Sequence, residues 1–162
     1  MGAPLLEAAQ IPLSNTKADT RKVTLDFGVP ALTQFSAVNM GNPHAVFFVD
    51  DVQAHALDVN GVRLEHHPMF PERANISLVQ VVSSDHVIQK VWERGAGLTR
   101  ACGSGACAAA VATARNGLTG RKVRVTLPGG DLMIAWRTSD DHVLMTGPAA
   151  FPYRGRVDLD KL

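Results

Sequence analysis

The sequence predicts an α/β domain of the α+β kind, in which a mostly antiparallel sheet surrounds one central buried helix. The first observation is a run of small residues at 103–116, whose Ala, Val, Cys and Thr side chains leave the helix no solvent face. The second is a series of short segments with alternating apolar residues, a pattern typical of strands. The third is Pro-Gly-Gly at 128–130 between two such segments, which predicts a hairpin.

Length and charge indicate one domain without a polyanionic partner. The chain has 162 residues and a net charge of +1, with its Lys and Arg residues scattered, so neither nucleic acid nor a membrane surface is indicated. No apolar run reaches about 18 residues and no signal-peptide pattern is present, so we expect a cytoplasmic protein. Two cysteines without framework spacing fit a reducing compartment.

The strands are predicted from alternation and turn residues. Residues 1–17 lack sustained periodicity, so we expect a connecting loop or strand and the least ordered part of the domain. Strands are predicted at residues 21–27, 33–38, 45–49, 76–82, 87–92, 122–127, 131–136, 142–146 and 151–157. Trp136 and Tyr153 are expected in the core or in a subunit contact.

A second helix is predicted at residues 51–66, which are amphipathic. Leu57, Val62 and Leu64 are expected toward the core, with the acidic positions outward. Zinc is not indicated, because adjacent histidines point apart and a metal site needs converging ligands. Three histidines of this region are expected at the surface: His55, His66 and His67.

Cys102 stands between a glycine-rich loop and the start of the small-residue helix. The amides of Gly103 and Ser104 lack intrahelical partners and carry the positive end of the helix dipole, so they predict a cradle for a carboxylate or phosphate. The same field favours the thiolate of Cys102, which we expect to be exposed to a cleft. The alternative is a small buried hydrophobe, which is our expectation for Cys107. A disulfide is not expected, because five helical positions separate the two cysteines by about 140° around the axis.

Polar residues also stand at the ends of several predicted strands. Asn42 precedes a proline, which holds its backbone extended, and its amide can donate and accept as recognition of an amino acid requires. By composition alone, however, Asn42 and Asn75 are ordinary turn or loop residues. Glu93 and Arg94 are predicted to face opposite ways on a regular strand, and by themselves they fit a solvated pair.

Four long strings resemble the C-terminal half of the diaminopimelate epimerase family: ERGAGLTRACGSGACAAA, NMGNPHAVFFVDDV, HHPMFPERANISLVQV and LPGGDLMIAW. The resemblance covers essentially the whole chain. It implies a curved, mixed, mostly antiparallel sheet wrapped around the central helix. It also implies that residues 1–20 connect to a missing N-terminal domain and that residues 21–162 form the C-terminal catalytic domain, which carries the second of two catalytic cysteines.

The activity implied by the resemblance is cofactor-independent interconversion of LL- and meso-diaminopimelate by two cysteines, in the synthesis of lysine and of peptidoglycan precursors. No pyridoxal lysine motif is evident, and neither a cofactor nor a metal is implied. The implied partners are the small-molecule substrate, the missing domain and a second copy in a homodimer. Because the opposing cysteine is absent, this chain is not expected to epimerise alone.

The resemblance also assigns roles to individual residues. Cys102 is implied as a catalytic base, with its pKa tuned by His44 and Glu93. Arg94 is implied to reach the distal carboxylate of the substrate. The implied substrate-binding residues are Asn42, Asn75, Glu93, Arg94, Gly103 and Ser104.

Three other hypotheses remain open from the sequence. The first is another two-thiol racemase, similar to proline racemase, which would not depend on a distal carboxylate. The second is a non-catalytic domain for binding or dimerisation, in which Cys102 would be inert with an ordinary pKa. The third is redox sensing through Cys102, which the angular separation from Cys107 disfavours.

Overall fold

The structure, a computed structural model, describes residues 1–161. Over this range the strands are β1 (Val23–Thr24), β2 (Gln34–Asn39), β3 (Pro43–Phe48), β4 (Asn75–Ser83), β5 (His86–Glu93), β6 (Gly97–Thr99), β7 (Lys122–Leu127), β8 (Gly130–Trp136) and β9 (Val143–Thr146). The two α-helices are α1 (Leu57–Glu65) and α2 (Gly103–Arg115).

The strands form one mixed, mostly antiparallel sheet in the order β1-β2-β3-β4-β5-β7-β8-β9, with β6 paired to β5. Only the pairs β3–β4 and β5–β7 are parallel within the described chain. Parallel neighbours need a crossover connection, and α1 supplies it for the first pair while α2 supplies it for the second. The predicted fold class and the hairpin at residues 128–130 are confirmed.

Helix α2 lies at the centre of the second of two cores. Its residues 105–113 are all buried, and it packs against β2, β3, β4, β5, β7, β8 and β9. A helix with Ala at most of these positions allows the strands to approach closely from several sides. The predicted central, sheet-wrapped helix is therefore confirmed, and Cys107 is completely buried inside it as expected.

The first core lies on the opposite face of the sheet and is covered by α1. Strand β4 shows how the faces are divided, because Ile76 and Leu78 belong to the first core whereas Val79 belongs to the second. Leu57 and Leu64 of α1 are buried in the first core, as predicted.

Three predictions for α1 are wrong. Val62 is 43% exposed, and Glu65 is 3% exposed although acidic positions were expected outward. The helix also begins at Leu57, because residues 51–56 form turns in which the Asp51 carboxylate accepts a hydrogen bond from the Gln53 amide at 2.8 Å. The prediction treated residues 51–66 as one continuous helix, although residues 51–56 form turns. It therefore assigned the apolar face to the wrong residues.

The first residues pack against the domain, although residues 1–17 were expected to be its least ordered part; their role as a connector to another domain stays a prediction. Ala8, Ile11 and Leu13 are buried in the first core, and Leu5 forms a bridge with Asn39 of β2. The strand predicted at residues 21–27 shortens to β1.

The strand predicted at residues 151–157 does not form. Phe151 is 95% exposed and Tyr153 is 85% exposed, so Tyr153 is not a core residue, whereas Trp136 is half-buried beneath the Arg121 guanidinium. The alternating pattern supplies one apolar face, but a strand also needs a hydrogen-bonding neighbour, and no strand within residues 1–161 pairs with this segment.

Candidate functional site

The polar residues singled out in the sequence meet at one edge of the sheet. Strands β3 and β4 are parallel and pair His44 with Asn75, so their first residues lie side by side. Strand β5 runs antiparallel to β4 and pairs Trp92 with Ile76, so it ends at the same edge with Glu93. Topology thus collects residues that are about fifty positions apart in the chain.

Helix α2 begins at this edge, and Cys102 is its N-cap residue. The Cys102 backbone is extended, with φ −140°, and its Sγ accepts a hydrogen bond from the Gly105 amide at 3.4 Å. The Ser104 hydroxyl lies 3.6 Å from the same sulfur. Within the described chain, the amides of Gly103 and Ser104 donate to no protein acceptor. The helix start therefore offers two free N–H groups beside a thiol, which suits a carboxylate ligand.

Cys102 is less accessible and less acidic than the sequence predicts. The residue is 5% exposed, whereas its sulfur was expected to be exposed to a cleft. Burial, and then the neighbouring Glu93 carboxylate, raise the pKa of the Cys102 thiol, whereas its contacts with Ser104 and Gly105 lower it in part. Desolvation and the Glu93 carboxylate thus outweigh the contacts with Ser104 and Gly105, and the neutral thiol is the favoured form.

Glu93 is the charged residue that acts on the Cys102 thiol. The Thr99 hydroxyl donates a hydrogen bond of 2.6 Å to Glu93 Oε1, which fixes the carboxylate at the end of β5. The carboxylate also raises the pKa of the Cys102 thiol. A negative charge beside the sulfur opposes formation of the thiolate, so it stabilises the protonated sulfur.

Asn75 is 2% exposed and joins two parts of the site. Its Nδ2 donates to the Pro43 carbonyl at 2.9 Å, and its Oδ1 accepts from the Arg94 amide at 2.9 Å. One N–H of the Asn75 side chain remains for a ligand. The Arg94 guanidinium donates to the Glu72 carbonyl at 2.9 Å through Nη1, on the exposed side of the site.

His44 is 1% exposed and pairs with Asn42. The side-chain oxygen of Asn42, Oδ1, lies 2.9 Å from His44 Nε2. Because this oxygen can only accept, Nε2 carries the ring proton. His44 Nδ1 then has no partner within the described residues. Burial, helped by the charge of Arg94, lowers the pKa of His44 to about 3, so the ring is neutral. Tuning of the Cys102 thiol by His44 stays a prediction.

Glu65 is a site-supporting residue that the sequence did not reveal. Its Oε2 accepts a hydrogen bond of 2.7 Å from the Trp92 indole, and its Oε1 accepts one of 3.1 Å from the Gly95 amide. Arg73 Nη1 lies 3.7 Å from Oε1 and compensates its charge. Glu65 therefore holds both the strand that delivers Glu93 and the turn that follows it. A Glu near the end of an amphipathic helix gives no sequence signal for such a role.

Gly129, in the β7–β8 turn, holds the loop that leads to the thiol. Its amide donates to the Arg100 carbonyl at 2.7 Å. A Cβ on Gly129 would lie 3.0 Å from that carbonyl oxygen and 3.2 Å from the Ala101 Cβ. The Pro-Gly-Gly sequence signals a turn but does not indicate what the turn packs against.

Among residues 1–161, no three His, Cys, Asp or Glu side chains are grouped so that they could hold a metal ion. No helix in that range has the length and apolarity needed to cross a membrane. A cavity of about 360 Å³ lies at the other end of α2, beside Asn116, and does not include the candidate residues.

Fold and site define a mixed α+β domain that presents a thiol, a carboxylate and free amides at the start of a buried helix. The chain belongs to the diaminopimelate epimerase family, whose family profile matches residues 36–152. The chain is similar to diaminopimelate epimerases of Methylocella silvestris, with 59% identity over 98% of this chain and 56% of the relative, and of Rhodopseudomonas palustris strain BisB18, with 58% identity over the same shares. The diaminopimelate epimerase of Brucella canis is 57% identical over 98% of this chain and 53% of the relative.

The chain spans about half the length of these relatives. Among solved structures, a phenazine biosynthesis protein of the PhzF family from Bacillus anthracis aligns with a TM-score of 0.48 and 17% identity, covering 66% of this chain and 34% of that one. A PhzF-family protein from Enterococcus faecalis aligns with a TM-score of 0.45 and 15% identity, covering 60% of this chain and 35% of that one.

Proposed function

We propose that this chain is the second half of a diaminopimelate epimerase and supplies one of its two catalytic cysteines. The reaction is the cofactor-independent interconversion of LL- and meso-diaminopimelate. The observation that carries the proposal is the position of Cys102, which caps a buried helix next to two free amides and Glu93.

The free amides of Gly103 and Ser104 hold the carboxylate attached to the reacting carbon. Charge that develops on this group as the α-proton leaves is stabilised by the amides and the helix dipole. The reacting carbon then lies close to Cys102 Sγ. Binding the carboxylate thus both positions the substrate and lowers the barrier to proton removal.

Proton transfer requires groups on both faces of the α-carbon. In one direction, a thiolate of the missing half removes the α-proton and the Cys102 thiol donates its own proton to the opposite face. The C–H bond breaks on one side and a new C–H bond forms on the other, leaving Cys102 as the thiolate. The raised pKa of Cys102 makes it the acid in the unliganded state, and the other stereoisomer runs the same steps in reverse.

The distal end of the substrate is recognised by Asn42, Asn75 and Arg94. Arg94 offers a charged fork for the distal carboxylate, and the remaining Asn75 N–H and the Asn42 amide provide weaker polar contacts. Glu93 offers a carboxylate for the amino group. Loss of Arg94 is therefore expected to weaken diaminopimelate binding much more than it perturbs the thiol.

The complete enzyme contains a further half and assembles with a second copy. Residues 1–20 connect the domain of residues 21–162 to an N-terminal half that contributes the opposing cysteine and the other wall of the cleft. The complete enzyme acts in the cytoplasm as a homodimer, in the synthesis of lysine and peptidoglycan precursors. The length of the relatives, of which this chain covers 53–56%, supports the two-half arrangement.

A domain replacement tests the function. The second half of the Methylocella silvestris relative is exchanged for this chain, and α-proton exchange of diaminopimelate is followed in heavy water. The hybrid is expected to exchange the proton, and C102A or C102S is expected to abolish exchange. C107A is the matched control, because Cys107 is fully buried and should leave exchange intact. An inactive hybrid beside an active parent, or activity that survives C102A, contradicts the proposal.

The same assay addresses the other hypotheses. A proline racemase-like activity is not favoured, because relatives 56–59% identical are diaminopimelate epimerases. Exchange of an amino acid that lacks the distal carboxylate would nevertheless revive it. A binding or dimerisation domain without catalysis predicts a hybrid in which C102A has no effect.

A further inference from the structure

The polar side chain of Gln89, on β5, is buried beneath the start of α2. Gln89 is 0% exposed, and its Nε2 donates a hydrogen bond of 2.8 Å to the Ser77 hydroxyl on β4. Its Oε1 is buried and has no partner within the described residues. A buried acceptor without a partner destabilises the folded state, so its presence calls for a compensating role.

Gln89 is separated from the thiol only by Gly105. A Cβ placed on Gly105 would lie 3.3 Å from Gln89 Nε2 and 3.2 Å from both Cβ and Sγ of Cys102. The Gln89 amide and the Cys102 side chain therefore pack against the same point of the first helical turn. The Gly105 amide is also the donor that hydrogen-bonds Cys102 Sγ.

We propose that Gln89 is a positioning residue for Cys102. Its amide supports Gly105 from below, so that the Gly105 N–H stays directed at the sulfur. It also presents its N–H end, the positive end of the amide dipole, toward the thiol. This inference rests on the proposed role of Cys102 as an acid–base group.

A variant that lacks the Gln89 amide distinguishes this role from a purely structural one. Replacing Gln89 by Met keeps the length of the side chain and removes the unpartnered acceptor. A structural role for the amide predicts a less stable variant with an unchanged thiol. The positioning role predicts a variant whose thiol ionises less readily, even though Q89M also leaves the buried Ser77 hydroxyl without its Gln89 partner.

The test is the rate at which iodoacetamide alkylates Cys102 as a function of pH, with the modified peptide identified by mass spectrometry. For Q89M the midpoint is expected to move up by about 0.5 to 1 pH unit, so the rate below the midpoint falls roughly three- to tenfold. The matched control is Q80M, because Gln80 pairs with Ile88 on the opposite face of the sheet.

A second variant keeps the test decisive if Q89M does not fold. S77A removes the acceptor that orients the Gln89 amide, so a smaller shift in the same direction is expected. Alkylation profiles of Q89M and S77A that superimpose on the parent overturn the proposal, and S77A alone decides if Q89M is unfolded. Since no substrate is involved, a shifted profile beside an inactive hybrid enzyme would reject the epimerase function and retain this role of Gln89.

Discussion

The indole N–H of Trp92 donates a hydrogen bond of 2.7 Å to the buried carboxylate of Glu65. Helix α1 and the end of β5 are thereby joined directly beside Glu93. The E65Q substitution keeps the shape but leaves an amide group facing either the Trp92 indole or the Gly95 amide, since both are donors. The free energy of unfolding is expected to fall by about 1–3 kcal/mol in urea denaturation. E72Q, at an exposed position, should change it little.

Gly61 of α1 lies against the face of the same indole. A Cβ there would lie 2.5 Å from Trp92 Cδ2, and the ring cannot move aside as the end of a flexible side chain could. G61A is therefore expected to destabilise the protein by about 1–3 kcal/mol, although Ala is the better helix former by roughly 0.8–1.0 kcal/mol. Thermal unfolding measures the effect. G155A is the control, because its Cβ meets no atom within 4 Å; equal stability of the two variants would contradict the packing argument.

His44 is expected to make the protein acid-sensitive. Its pKa is about 3 in the folded state and 6.5 in the reference state, so the unfolded chain takes up a proton first as the pH falls. Above pH 6.5 the ring is neutral in both states, so His44 costs no stability. From there down to about pH 3, the free energy of unfolding falls by about 1.4 kcal/mol per pH unit. H44Q should lack this slope when free energies of unfolding are compared across that range. Parallel plots of unfolding free energy against pH for the parent and H44Q would refute the role of His44. H142Q, at an exposed histidine, serves as the control.

Gly129 is expected to affect the thiol from the β7–β8 turn. A Cβ at 3.0 Å from the Arg100 carbonyl oxygen has to push away the loop that leads to Cys102. G129A should therefore lose about 1–2 kcal/mol of stability and change the alkylation rate of Cys102. G120A is the control, since its Cβ would make only an ordinary contact of 3.8 Å with the Ser84 carbonyl oxygen. An alkylation rate equal to that of the parent would show that the turn does not position the loop.

Local patterns in the sequence were sufficient for several elements. The small residues of α2 have no polar face, which dictates burial whatever surrounds the helix, and Pro-Gly-Gly between alternating segments dictates a hairpin. The failures occur where local pattern and tertiary context diverge. Residues 151–157 alternate as a strand does, yet no strand of the described chain pairs with them. Glu65 looks like a solvent-facing residue because its partners, Trp92 and Gly95, are about thirty positions away.

The sequence by itself determined the helix start, the presence of a cysteine at its N-cap and the polar residues at strand ends, because each follows from residue types within a few positions. Only the tertiary structure decided that Asn75, Glu93 and Cys102 share one edge, since that depends on the parallel pairing of β3 with β4 and the antiparallel pairing of β4 with β5. It also decided the protonation of the thiol. The helix dipole can be read from local sequence, but desolvation and the Glu93 carboxylate come from packing, and both raise the pKa of Cys102 above its ordinary value.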